Sequence, residues 1–374
     1  MLGGNATVCP VLGSLHSLPW AAEGQFRVGQ LLCETFWPRH YLDGAAQSVC
    51  PRYAARRQLS RLGELGYRLK SGFEAEFAVF RTADGATPLF DGRDLYTGQL
   101  LAAVEPLLYA LEIGLAASGV DVLTLQTECG PGLIELALAP AFDVAAADAM
   151  FRLREAVKEV CSSRGLFATF MAKPAESTRT AGMHFNHSLW SPDTKHDQFY
   201  ADGRMSDVGL RWLGGLVSHG PALTALCAPT VNCYRRLHRL ATPTRADWGI
   251  DDRSRAFRVQ CGAAGATFIE NRIASGSANP YLVLAATVAA GIDGLLTGSD
   301  AADRRDNNEA QVLPKTLDEA LIALQSDSVL ADALGAELVD WFVRVKRETE
   351  IARIDNTNES DAFAVERELY FKFL

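Results

Sequence analysis

Hydrophobic and polar positions alternate with period two across Gly72-Phe73-Glu74-Ala75-Glu76-Phe77-Ala78-Val79-Phe80. Such a run predicts a strand, because side chains two apart share one face. Phe73, Ala75, Phe77 and Val79 then face a core, and Glu74 and Glu76 share the opposite face. Elsewhere the period is helical. Met150, Leu153, Val157 and Val160 form one stripe and predict a helix over 145–162, with Gly165 beyond its end. Asn279-Pro280 reads as an N-cap followed by proline at the first helical position. The helix it opens runs to about residue 296 and is apolar nearly all round, hence buried. Further helices are expected over 54–65, 95–118, 317–325 and 329–353. Strands are expected over 25–37 and 133–138, with 166–171 and 183–189 paired to each other. The first 20 residues and 297–311 read as loops. There is no strict βαβ rhythm, no repeat and no GxGxxG or Walker pattern, so the expected class is α+β with a mostly antiparallel sheet.

Composition narrows the function classes. A chain of 374 residues, 48% hydrophobic, can bury a large core. A net charge of −9 with no basic block argues against nucleic acid and membrane surfaces as partners. No Lys or Arg precedes Arg27, so no export signal is read, and the apolar run 281–292 is short for a bilayer. Eight dispersed cysteines without a CxxC pair suggest free thiols in a reducing cytoplasm.

Two carboxylates on one strand face repel unless something positive lies between them, and a divalent cation is the simplest solution. Further candidates lie in apolar surroundings. Glu128 and Glu135 flank the turn Cys129-Gly130-Pro131-Gly132. His184 and His187 lie in Gly182-Met183-His184-Phe185-Asn186-His187-Ser188. Glu270 and Arg272 share a strand face, and Arg236, Arg253 and Arg258 add positive charge. Carboxylates without cysteines suit Mg²⁺ or Mn²⁺ rather than zinc. Arginines beside such ions suit phosphate, so phosphoryl transfer is the chemistry indicated. His187 alone reads as a core histidine.

The order and spacing of these segments, from about Arg27 to Leu374, resemble class I glutamine synthetase. Ala168-Thr169-Phe170-Met171-Ala172-Lys173-Pro174 and Ala278-Asn279-Pro280-Tyr281-Leu282 look like that family's signatures. The resemblance implies a curved, mostly antiparallel sheet with helices outside, within a ring-based homo-oligomer. It implies residues 49–374 as the catalytic domain and 1–48 as the remnant of an N-terminal β-grasp domain, which is expected to be largely missing. It implies two Mg²⁺ or Mn²⁺ sites between ATP and glutamate. Glu76, Glu128 and Glu135 would hold one ion, and Glu74, His184 and Glu270 the other. Arg236 would hold the substrate carboxylate, Arg253, Arg258 and Arg272 would line the phosphate and substrate region, and Ser188 would touch the nucleotide.

Several positions depart from the enzyme pattern. A flap glutamate that deprotonates ammonium is absent from 237–243, and losing a general base costs about 10²- to 10⁴-fold in rate. Arg179-Thr180 replaces a glutamate-contacting Asn-Gly pair, and Leu133, Phe268 and Asn186 replace a glutamine, an arginine and a histidine. Three non-catalytic segments, starting at Pro51, His187 and Asn279, resemble the branch of the family found in the vertebrate eye lens. That branch implies a dodecamer with a structural or chaperone-like role, toward intermediate filament proteins, and little or no catalysis. The alternative is an ATP-dependent ligase joining glutamate to ammonia or a larger amine through γ-glutamyl phosphate.

Overall fold

The structure is a computed structural model, and it describes residues 6–21, 25–38, 44–92, 97–176, 178–239, 242–299, 301, 310–358 and 360–374. The chain opens with two small antiparallel ribbons, β1 (Thr7–Pro10) with β4 (Cys33–Phe36) and β2 (His16–Ser17) with β3 (Gly29–Gln30). There follow α1 (Pro51–Glu64), β5 (Arg68–Phe80), α2 (Gly98–Ala117), β6 (Val122–Thr127), β7 (Leu133–Leu138), β8 (Ala141–Phe142) and α3 (Ala145–Ser162). Then come β9 (Phe167–Thr169), β10 (Met183–Trp190), a ribbon of β11 (Tyr200–Ala201) and β12 (Arg204–Met205), α4 (Asp207–Ser218) and α5 (Gly220–Cys227). Strands β13 (Trp248–Ile250), β14 (Phe257–Gln260) and β15 (Phe268–Asn271) precede α6 (Pro280–Thr297). The last helices are α7 (Leu317–Ser326), α8 (Ser328–Leu334), α9 (Ala336–Val345), α10 (Ala352–Asp355) and α11 (Ala362–Tyr370).

The main sheet has the order β13-β14-β15-β10-β5-β7-β6, with β8 and β9 also on β5, and only β13–β14 is parallel. Its centre is β5. Phe73, Ala75, Phe77 and Val79 are fully buried on one face, as the alternation requires. Helix α3 covers that face, with Met150, Leu153, Val157 and Val160 buried. Helix α6 is the core helix. The Asn279 side chain accepts from the Tyr281 and Leu282 amides, capping two otherwise orphaned donors. Helices α2 and α6 are both long and apolar enough to cross a membrane, but 78% of the apolar window of α6 is buried inside the protein. Helix α2 turns Val104, Leu107, Leu108 and Leu111 inward.

Two expectations are corrected. Strands 166–171 and 183–189 do not pair with each other. Both β9 and β10 lie along one edge of β5, β10 on residues 68–75 and β9 on 78–80, because β5 is long enough to take both. The single helix expected over 329–353 is broken. Gly335 has φ +96° and ends α8, and the 346–351 turn is π-helical, so the chain runs as α8, α9 and α10. The loop expected over 297–311 lies mostly outside the described residues.

The Pro51 segment turns out to be architectural. Arg52, buried, donates from Nε and Nη2 to both Asp148 oxygens on α3 at 2.9 and 3.0 Å, and pairs with Glu34 on β4. Asp148 also accepts from Tyr281 Oη on α6 at 2.7 Å. One network thus ties β4, α1, α3 and α6 together. Removing one partner of a buried pair strands the others in low dielectric. Arg52→Ala is therefore expected to lower unfolding free energy by about 3–5 kcal/mol in urea denaturation. A loss below about 1 kcal/mol would show the network to be dispensable.

Candidate metal and active site

The polar face of β5 is the floor of a cavity of about 680 Å³. Lys70, Gly72, Glu74 and Glu76 lie along it in alternate positions, spanning about 20 Å at the usual strand rise. Strand register brings partners to each position. His184 on β10 and Ala137 on β7 oppose Glu74. Glu135 on β7 opposes Glu76, and Gln126 on β6 opposes Glu135. Asn186 lies between Gly72 and Glu270, and Glu270 is opposed by Arg258 on β14. Ser188 stands opposite Lys70.

One cluster is tight. The ligand atoms of Glu74, His184 and Glu270 lie within 4.8 Å of one another. His184 Nδ1 is 3.3 Å from Glu74 Oε2 and 3.1 Å from Glu270 Oε1. Asn186 Nδ2 donates to Glu74 Oε1 at 2.8 Å. Arg258 Nη1 donates to Glu270 Oε2 at 3.0 Å, and Arg272 pairs with Glu270 Oε1. Burial opposes the charged Glu270 carboxylate, but His184, Arg272 and Arg258 outweigh it and bring the pKa down to about 2. Burial likewise opposes a charged His184, yet its bonds to Glu270 and Glu74 raise it to about 9. A proton on His184 here does the work that a cation would do between the two carboxylates.

The second set is looser. Glu76 Oε2 accepts from the Gly182 amide at 2.8 Å. Gln126 Nε2 donates to Glu135 Oε1 at 3.1 Å and to Glu128 Oε1 at 3.3 Å, holding these two acids on one side of the cavity. Burial, then repulsion from Glu76 and Glu74, pushes Glu135 up to about 7. Crowded carboxylates of this kind, with oxygen and imidazole donors and no thiol, fit a hard divalent cation. Gly182 sits where the parts converge. A Cβ there would lie 2.9 Å from Arg236 Nη2, 3.1 Å from His184 Nε2 and 3.4 Å from Glu76 Oε1, so any side chain would press on all three.

Arg236 is buried and bonds the carbonyls of Ile273 and Arg272 at 3.1 and 3.0 Å. Arg253 is exposed and lines the cavity, and its carbonyl accepts from Arg272 Nε at 3.0 Å. Ser188 lines the cavity and accepts from Trp190 Nε1 at 2.9 Å. The structure therefore gathers the sequence-derived residues around one cavity, except that Arg236 stands behind its wall, with Nη2 3.3 Å from His184 Nε2. His187 is a core histidine: it accepts from Trp212 Nε1 at 3.0 Å, and burial lowers its pKa to about 4. Two partners escaped sequence reasoning. Asp251 pairs with Arg258 across a turn. Gln126 lies on β6, a strand the alternation did not reveal, although its place two residues before Glu128 was a usable signal.

Glu135 and His184 both hold protons more tightly in the folded chain than their ordinary values of 4.5 and 6.5. The folded state then binds more protons, so stability falls as pH rises. The Glu135 part is lost between about 4.5 and about 7, and the His184 part between about 6.5 and about 9. Chelator-treated protein is expected to show a thermal midpoint that declines across this window, with the lower part flattened by Glu135→Gln. A midpoint that rises with pH would contradict this account.

Comparison with known proteins agrees with the geometry. A profile of the glutamine synthetase catalytic domain matches residues 48–366. Lengsin of Canis lupus familiaris is 34% identical over 90% of the chain, which spans 59% of that protein's length. Gamma-glutamylanilide synthase of an Acinetobacter species is 29% identical over 96% of the chain and 76% of its own length. Among solved structures, a complex of GmaS with ADP superposes with a TM-score of 0.85 and 29% identity, covering 96% of this chain and 85% of that one. The chain belongs to the glutamine synthetase family, and most of its length is that family's catalytic domain.

Proposed function

We propose that the chain is a Mg²⁺- or Mn²⁺-dependent ligase that uses ATP to join a glutamate-class carboxylate to an amine. The observation that supports this best is the convergence of Glu74, His184, Glu270, Glu76, Glu135 and Glu128 on one cavity with three arginines behind them. In this reading Glu76, Glu128 and Glu135 hold one ion, and Glu74, His184 and Glu270 the other. Such ions supply Lewis-acid charge to phosphoryl oxygens. Arg236 is buried and takes the substrate carboxylate, while Arg253, Arg258 and Arg272 offset phosphate charge. The Ser188 end takes the nucleotide. The substrate carboxylate accepts the γ-phosphoryl group of ATP, and ADP departs. The amine nitrogen then bonds to the acyl carbon, the carbon–oxygen bond to phosphate breaks, and phosphate leaves with the electron pair while the amine sheds its proton. An amine larger than ammonium is favoured, because 237–243 contains no acid to strip ammonium. The reading includes a cytoplasmic homo-oligomer, for which the eight free cysteines are suited.

The similarity to lengsin favours a second reading. The chain would be a dodecameric scaffold with a structural or chaperone-like role in the eye lens, binding intermediate filament proteins without appreciable turnover.

Purified protein is expected to bind two equivalents of Mn²⁺ in calorimetry, more weakly as pH falls below about 7, because protons compete for Glu135. An amine screen is expected to show ATP-dependent phosphate release that Glu270→Ala lowers at least about 100-fold. Release no greater than that of the Glu270→Ala control with every amine would overturn the ligase reading. Co-sedimentation with intermediate filaments, absent turnover, would support the scaffold.

A further inference from the structure

The Glu74–His184–Glu270 cluster has a fourth polar neighbour. Asn186 lies on β10 two residues after His184, so the two side chains share one face of the strand. Register places Asn186 between Gly72 on β5 and Glu270 on β15. Directly opposed residues hold their Cβ atoms about 4.5–5.5 Å apart, so Asn186 and Glu270 are immediate neighbours. On the other side Gly72 has no side chain to compete for the space. Asn186 also lines the cavity.

The two ends of its amide are used differently. Nδ2 donates to Glu74 Oε1 at 2.8 Å. Oδ1 has no hydrogen-bond partner among the described residues, and less than 1 Å² of it is open to solvent. Turning the amide over would set Oδ1 against the Glu74 oxygen, so the hydrogen bond fixes its orientation. Two other cavity-lining side chains carry buried unpartnered atoms, the hydroxyls of Ser71 and Thr267. A hydroxyl rotates and can donate or accept, whereas an amide oxygen only accepts. The donors nearest to it are committed elsewhere: Arg258 pairs with Glu270 and Asp251, and Arg272 with Glu270 and the Arg253 carbonyl. Glu74 and Glu270 offer only more acceptors, and so would phosphate. What suits this oxygen is a positive ion. Mg²⁺ sits about 2.1 Å from its oxygens, nearer than a hydrogen-bonded water at about 2.8 Å, so a bare ion can enter where water does not.

Resting on the ligase reading, we propose that Asn186 Oδ1 is a further ligand of the cation held by Glu74, His184 and Glu270. Asn186 then serves the ion twice. Nδ2 fixes one oxygen of Glu74, and Oδ1 adds a neutral donor without adding charge to carboxylates that are already crowded.

The test titrates the full-length protein calorimetrically with Mn²⁺ alone, without nucleotide. The native chain is expected to take two equivalents, and Asn186→Leu to bind one of them about 10- to 100-fold more weakly with the other unchanged. Because Asn186 also holds Glu74, a second variant separates ligation from support. Asn186→Cys keeps a ligand atom at this position, and a thiolate selects a softer ion. Loaded with Cd²⁺, it is expected to show a thiolate-to-metal charge-transfer band in the ultraviolet beyond any that the native cysteines give. Mn²⁺ binding in Asn186→Leu equal to that of the native chain would overturn the inference and leave the ligase standing. So would Asn186→Cys without the added band, which would reduce Asn186 to a support for Glu74. A native chain that binds no Mn²⁺ would sink the ligase reading and the inference with it.

Discussion

Like-charge crowding on the polar face of β5 is the constraint around which this protein is arranged. Glu74 and Glu76 on that strand, Glu135 beside them and Glu270 two strands away place four carboxylates over one floor. Each is offset differently. Glu270 has two arginines and an imidazole, and stays ionised. Glu74 shares the imidazole and takes an amide from Asn186. Glu76 has a backbone amide and the nearby Arg236. Glu135 takes a hydrogen bond from Gln126, but burial and its neighbours Glu76 and Glu74 push it toward neutrality. Glu135 is thus held close to neutrality, and a cation beside it would gain by displacing its proton.

That floor can be held only because the opposite face of β5 is well anchored. Phe73 and Phe77 pack against Phe185 and Phe170, and α3 closes over them. The Arg52–Asp148–Tyr281 network then fixes α3 to α6 from the far side. Glu366 on α11 plays a comparable part behind Arg236. By engaging Arg235 and Asn232 it fixes the turn whose next residue is Arg236. Buried ionic pairs of this sort contribute little net stability against an apolar core but allow few alternative geometries.

Much of the fold was legible where one pattern dominated. The bounds of α3 and β7 agree with the expected ones residue for residue, because a single apolar stripe or alternation with clear stops sets them. The N-cap and proline of α6 served equally well. Strands β6, β13 and β14 and helices α4 and α5 were not read. Short strands next to turns carry too few positions for a period to emerge, and α5 is buried nearly throughout, so no stripe distinguishes its faces. The break at Gly335 was missed because apolar spacing persists on both sides of it.

For the site, the sequence by itself determined which residue types exist, and it put Glu74 and Glu76 on one face, since strand geometry guarantees that spacing locally. Motif order extended this to Glu128, Glu135, His184 and Glu270. Only the tertiary structure decided which acids meet: Glu74 joins His184 and Glu270 through the β5–β10–β15 register, while Glu76 meets Glu135 through β7. It alone showed that Gln126 bridges Glu128 and Glu135, and that Glu366 neutralises Arg235. Pairing between strands and loops distant in sequence depends on register and packing, and no local pattern encodes it.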